Sequence, residues 1–475
     1  MNSFLFVGGG NSSYISALIL NSRYPNKKIT IVESEAIGII GVGEGTTEHW
    51  FKFCECLGIS FTELIEKCDA TYKFGVHFKN WVKDDYYHCV GHPFNASHAD
   101  YLAYAATHLV KRTKQRDTIP QFLREGMLPI PSGDTFGHQL HFDSVKLNDF
   151  LLQACLDRGI SIVNDEIIDA TFDRQGNIAS VSSKTETYKA DFYIDGTGFK
   201  RTLIQKILGV KWDSYSDHLF MNSAITWHEN SSDDIPLFTT SEALKNGWKW
   251  TIPTQNKKAH GYIFSDRFCS VEEAKEEVNI KDVDKVIKFE PGKMERMWYK
   301  NCMAIGLSAG FFEPIEATSL GITIQQMFCF LHHISSNDSD SFNKYVNTIY
   351  DNTFNFILLH YYNVRKDSEF WRFNNTHFKK TEFLENLFDI MSKRLPFKEE
   401  LEVPWGLFGS INFIQILYGL NHIDISSIKK EYQFYSEEKR EDYNGLINQV
   451  KNADDADLID KMLPHRDKLL ALINK

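Results

Sequence analysis

The feature that most constrains the fold lies at the start of the chain. Phe4 to Val7 is a short apolar run, and Gly8-Gly9-Gly10 closes it. Asn11-Ser12-Ser13 follows, then Ile15, Ala17, Leu18 and Ile19 with helical periodicity, and a second β-rich run from Lys28 to Val32 ends at Glu33. This is strand, tight turn, helix, strand, acid, the opening of a dinucleotide-binding unit. In Gly8-x-Gly10-x-x-Ser13 the glycines let the backbone approach a pyrophosphate, and the helix N-terminus supplies N–H donors. Ser at the third position departs from glycine but stays small. Glu33 lies 20 residues beyond it, where a carboxylate accepts hydrogen bonds from a ribose. Only one such fingerprint occurs. An enzyme using two dinucleotides would need a second for NAD(P)H, so the sequence leaves two options: tightly held FAD reduced from outside, or a nicotinamide bound in a nonstandard mode.

Further along, short alternating runs at 160–163, 167–172, 178–183 and 191–194, separated by turn signals, predict a β-meander. It ends in Asp195-Gly196-Thr197-Gly198-Phe199. Trp248 to Pro253 and Gly261 to Phe264 predict a hairpin around Thr254-Gln255-Asn256-Lys257-Lys258. After Cys302 to Gly306 the strand, small-residue loop, helix pattern returns, with a helix expected from about Thr318 to His333. The chain from about 385 reads as helices with charged faces.

The net charge of −11 argues against nucleic-acid binding and against an anionic membrane surface. Eight cysteines without a Cys-x-x-Cys pair read as reduced thiols. The N-terminus lacks a secretory pattern and no apolar run reaches membrane-spanning length, so a cytoplasmic protein is expected. His138-x-x-His141 and His332-His333 have no third ligand at credible spacing, and no metal is expected.

Four further segments are candidates for chemistry. Gly41-Val42-Gly43-Glu44-Gly45 permits close approach to a flat ring or phosphate, or is a plain connector. Lys79, in Phe74-Gly75-Val76-His77-Phe78-Lys79-Asn80-Trp81, would share a strand face with His77 and Trp81. A lysine in an apolar pocket is costly unless functional, although spacing alone favours an edge-strand lysine in water. Trp248, Trp250 and Ile252 alternate onto one face, a wall or simply a core strand. Glu316 precedes a helix start at which Thr318 and Ser319 offer donors to a small anion, or serve only as caps.

Taken in order, Gly8-x-Gly10-x-x-Ser13, Lys79, Trp248-x-Trp250-x-Ile252-Pro253 and Glu316-Ala317-Thr318-Ser319 resemble the flavin-dependent halogenases of the tryptophan-halogenase-like family. Asp195-Gly196-Thr197-Gly198-Phe199 and His360-Tyr361 with Arg365, Asp367, Phe370, Trp371 and Arg372 add to it, so the resemblance covers about residues 1–375. It implies an α/β FAD-binding, Rossmann-like flavin monooxygenase/halogenase fold interleaved with a β-rich substrate region and a C-terminal helical region. The FAD-binding module would be discontinuous, at 1–80, 140–210 and 300–335. The substrate side would be 81–139 and 211–299, and 336–475 would be mostly helical.

By the same resemblance Gly8, Gly10, Asn11 and Ser13 would hold the FAD pyrophosphate and Glu33 the ribose. Val42, Gly43, Glu44 and Leu307 would line the flavin. Thr318 and Ser319 would hold a halide, Lys79 would be the catalytic lysine and Glu316 its acidic partner. Trp248, Trp250, Ile252 and Pro253 would keep the substrate off the flavin. Ala317 departs from the family's usual serine. The implied reaction uses FADH2 from a separate NAD(P)H-dependent reductase, O2 and chloride, bromide or iodide. It forms a hypohalous species that Lys79 delivers to an electron-rich indole, phenol or pyrrole. A homo-oligomer is compatible with the sequence. The C-terminal part reads as short for an enzyme acting on free tryptophan. The rival readings are a flavin-dependent aromatic monooxygenase or other FAD oxidoreductase, and a non-catalytic flavin-carrying protein.

Overall fold

The computed structural model describes residues 1–89, 114, 116, 119, 121–129, 139–452 and 462–474. His138 and most of the 81–139 stretch lie outside the described residues. A six-stranded sheet forms the base of the molecule, in the order Trp298–Tyr299, Cys302–Ala304, Phe192–Asp195, Ser3–Val7, Lys28–Glu33, Ser161–Asn164. Its pairings are parallel except for the first. The central strands are buried on both faces, which explains why Phe4, Leu5, Phe6 and Val7 run without alternation. The Asn11–Arg23 helix packs between this sheet and the Thr318–His333 helix, whose bounds are those expected from its apolar spacing.

The predicted meander is only partly one. Asp169–Phe172, Ile178–Ser182 and Thr187–Tyr188 form a small antiparallel sheet. The flanking Ser161–Asn164 and Phe192–Asp195 instead join the parallel sheet, beside partners far away in sequence.

The second large sheet has seven strands, in the order Lys285–Lys288, Ser223–Asn230, Lys257–Phe264, Gly247–Pro253, Phe238–Ala243, Gly75–Lys79, Tyr86–Cys89. The expected hairpin is there, as Gly247–Pro253 paired with Lys257–Phe264. A further three-stranded sheet has Glu44–Gly45 and Thr71–Lys73 flanking Gln139–Phe142. From Ser339 to Asn452 the chain is helical, beginning with the 22-residue Ser339–His360 helix. No helix among the described residues is long and apolar enough to cross a membrane.

Candidate active site

A cavity of about 640 Å³ runs between the two large sheets. Its walls include Gly8, Gly10 and Asn11, then Glu33, Val42, Gly43 and Glu44, and Leu307 with Thr318 and Ser319 across from them. Gly8 has φ +110°, and a Cβ there would stand 2.3 Å from the Gly196 carbonyl oxygen. The first glycine is therefore required by backbone-to-backbone packing. A Cβ on Gly10 would meet nothing within 4 Å, so that peptide borders open space. This cradle fits a dinucleotide such as FAD. Glu33 is pinned by a hydrogen bond from the Tyr14 hydroxyl. Burial raises the Glu44 carboxyl to about 7, partly opposed by a hydrogen bond from Asn11.

Ser13 departs from the expected role. It is fully buried and outside the cavity wall, and its Oγ lies 2.1 Å from where a Gly196 Cβ would stand. The third motif position must be small because the helix packs against that glycine.

The 16-residue Thr318–His333 helix begins without a side-chain cap, after Ala317 at φ +54°. Its first N–H groups lack intrahelical partners and could hold a small anion. Trp250 and Ile252 line the cavity, with Trp250 lying across Gly261. Trp248 does not line it. Its indole donates to Glu313 Oε2 at 3.1 Å, to which Tyr361 also donates. Burial raises Glu313 to about 7 against those two hydrogen bonds. Pro253 ends the strand and accepts from Thr71 Oγ1 at 2.7 Å.

Glu316 sits at the turn entering the helix and is 2% exposed. His88 contacts its Oε2 at 2.8 Å and His360 its Oε1 at 3.0 Å. Burial alone would raise its pKa, but the two imidazoles outweigh that and hold it at about 2. The structure does not bring Lys79 to this carboxylate. Phe78 packs against His360 with ring centroids 5.0 Å apart. Strand alternation therefore turns Lys79 to the opposite face, half-buried and in register with Glu242. Nor does Trp81 share the Lys79 face. Asn80 at φ +62° breaks the alternation, and Trp81 packs with Trp248 and His360.

The lysine near Glu316 is Lys73, only 2% exposed. Its Nζ donates to the Thr46 carbonyl at 2.6 Å. It also fills the space beside Gly45: Lys73 Nζ and Ala317 Cβ lie 3.4 and 3.1 Å from where a Gly45 Cβ would stand. Burial pushes its amine down to about 8, with the Glu316 charge partly opposing. Neither Lys73 nor His88 is a candidate on sequence pattern, nor is Asn412, whose side-chain nitrogen lies 3.0 Å from His88 Nε2. Tyr72-Lys73-Phe74 does carry a local signal, a lysine flanked by aromatics on both sides.

The tryptophan halogenase family model matches residues 3–429. Tryptophan 7-halogenase KtzQ of Kutzneria sp. (strain 744) is 30% identical over 416 residues, covering 78% of each chain. Tryptophan 6-halogenase SttH of Streptomyces toxytricini is 29% identical over 422 residues, 78% of this chain and 80% of that one. The SttH crystal structure aligns with TM-score 0.87 and 25% identity, covering 99% of both chains. A tryptophan halogenase structure from Shewanella frigidimarina aligns with TM-score 0.89 at 22% identity, covering 100% of this chain and 98% of that one, and speaks for the fold. With a dinucleotide cradle, with a lysine and a carboxylate buried next to its Gly45 and Ala317 wall, and with these relatives matched over most of their length, the chain belongs to the tryptophan halogenase family and is a flavin-dependent halogenase.

Proposed function

We propose that this enzyme halogenates an electron-rich aromatic ring, with an indole of the tryptophan type as the first substrate to test, and that Lys73 rather than Lys79 delivers the halogen. The observation that carries the reading is the Lys73 amine, buried behind Gly45 at the edge of the cavity and within the field of Glu316. The names of the relatives support tryptophan as substrate.

FAD, reduced by a separate NAD(P)H-dependent reductase, supplies the chemistry that turns O2 and halide into a hypohalous species. The residues here do the rest. The Gly8–Asn11 turn accepts the pyrophosphate, and the open N–H groups at Thr318 and Ser319 hold the halide. Trp250 and Ile252 wall the cavity so that the organic substrate stays apart from the flavin. Lys73 holds the hypohalous species away from bulk water and presents it to one ring carbon. Both oxygens of Glu316 are already occupied by imidazoles, so its part is to stabilise the positive charge developing on the ring. This differs from a free general base.

The test supplies L-tryptophan, indole and a phenol with a flavin reductase, separately with chloride, bromide and iodide, and reads products by mass spectrometry. Halide-dependent product lost in Lys73→Ala with FAD binding retained supports the reading. Hydroxylated product independent of halide supports the monooxygenase instead.

A further inference from the structure

Lys73 stands on a strand that does little by itself to hold it. Thr71–Lys73 is three residues long and lies at the edge of its sheet, paired on one side with Gln139–Phe142. So short a ladder is marginal alone. Groups from distant parts of the chain fasten it. Thr71 Oγ1 donates to the Pro253 carbonyl at 2.7 Å, and the Tyr72 backbone N–H donates to His465 Nε2 at 3.0 Å, across 393 positions. His465 is the first residue of the His465–Ile473 helix and follows Met462–Pro464, which pairs with Met127–Pro129. Its own amide donates to the Gly126 carbonyl at 2.8 Å, and the residue is 1% exposed.

The partners of His465 fix its tautomer. A backbone N–H can only donate, so Nε2, which faces the Tyr72 amide, carries no proton. The Ile235 carbonyl oxygen, 3.1 Å from Nδ1, can only accept, so Nδ1 carries one. One neutral ring thereby satisfies two backbone groups in the interior, where a group left without a partner costs about 1–3 kcal/mol. His465 does not line the cavity, so this arrangement serves the strand and not a ligand directly.

We propose that His465 is a positioning residue for Lys73: its unprotonated Nε2 caps the Tyr72 amide and so fixes the edge strand that buries the lysine amine beside Gly45. The inference rests on the reading of Lys73 as the group that delivers the halogen, and names what keeps that group in place. The capped amide is one residue away from Lys73. With the cap in place, Lys73 Nζ fills the space beside Gly45 and reaches the Thr46 carbonyl. Without it the Tyr72 N–H must find water, and a strand that moves to admit water also wets the amine. The titratable groups coupled by charge to that amine, Glu316 and His141, stay as they are. Hydration is then the quantity that changes, and it favours the ammonium.

The experiment uses the full-length chain. Asparagine at position 465 can keep a donor at the place of Nδ1 but does not reach that of Nε2, whereas glutamine reaches it and can accept there. In 13C-lysine-labelled protein, with the Lys73 resonance assigned by Lys73→Met, the Lys73 midpoint is expected to rise by about 1 unit or more in His465→Asn and to stay within about 0.3 unit of wild type in His465→Gln. Equal midpoints in wild type and His465→Asn, or in the two variants, overturn the proposal. An equal rise in Met391→Ala, a core truncation in the Glu382–Met391 helix, also overturns it, because general loosening of the fold would then suffice. In 15N-histidine-labelled wild type, His465 is expected as the Nδ1–H tautomer, assigned with His465→Gln. A protonated Nε2 overturns the proposal even if His465→Asn fails to fold. None of these readouts involves halogenation. A raised midpoint in His465→Asn with product formation unchanged would leave the cap standing and remove Lys73 from halogen delivery.

Discussion

Replacing Lys73 with methionine gives a direct measure of what burying this amine costs the fold. In the folded protein burial brings the amine from 10.5 to about 8, while the unfolded chain keeps its proton up to the ordinary value. Between those two limits the unfolded state binds more protons than the folded one, so stability rises with pH across that window. A shift of about 2.5 units at about 1.36 kcal/mol each amounts to roughly 3 kcal/mol. Below pH 8 that amount is a standing penalty on the wild type, and it is fully relieved only above about pH 10.5. Methionine keeps most of the stem and carries no charge. It also removes the Lys73 hydrogen bond to the Thr46 carbonyl, which the Gln139 amide can still reach at 3.2 Å, at a cost of about 1 kcal/mol that does not vary with pH. The absolute effect at neutral pH is therefore the difference of two opposed contributions, and the informative quantity is the slope. For 475 residues the unfolding entropy is roughly 1 kcal/mol/K, so the midpoint difference between the proteins should change by about 3 °C. Differential scanning fluorimetry of both proteins from pH 7 to 11 measures it. Wild-type Tm minus variant Tm should be flat up to pH 8 and then climb. A difference that stays flat to pH 11 would refute the burial argument for Lys73.

Three other substitutions separate the elements of the site. Lys79→Ala removes a half-buried side chain on the sheet face away from Glu316, so product formation should stay within about twofold of wild type; a loss as deep as that of Lys73→Ala would return the delivery role to Lys79. Gly8→Ala puts a Cβ 2.3 Å from the Gly196 carbonyl oxygen at φ +110°, and FAD affinity in a fluorescence titration should fall at least about tenfold. Trp248→Phe removes a donor from Glu313, whose carboxyl burial already raises to about 7. Its titration, followed by infrared spectroscopy of the carboxyl band, should then move to still higher pH, and a fixed midpoint would remove Trp248 from that hydrogen-bond set.

What the sequence made legible was local. The opening turn, the hairpin and the Thr318–His333 helix each carry their signal within a dozen or so residues, as glycines, turn formers or apolar spacing. The parallel strands did not. Ser161–Asn164 looks the same whether its neighbour is the next strand or Lys28–Glu33, because alternation records burial and not the identity of the partner. The site failed to be legible for the same reason. Glu316 gathers His88, which is 228 positions away, and His88 is in turn oriented by Asn412, another 324 positions off. No spacing rule reaches that far.

The choice between the two lysines turns on one strand. Lys79 follows an aromatic run but precedes Asn80, whose positive φ ends the alternation, and the charged Lys83-Asp84-Asp85 turn that carries the chain to water. Lys73 belongs to the buried three-residue strand Thr71–Lys73, with its amine in the space that Gly45 leaves open. Burying an ammonium is unfavourable, so a sequence reading that sends lysines outward by default passes over it. That default fails where the protein carries the cost in order to hold an amine whose proton is easily lost. Burial does this for Lys73, and it outweighs the nearby Glu316 charge, which alone would stabilise the ammonium and suppress its nucleophilicity.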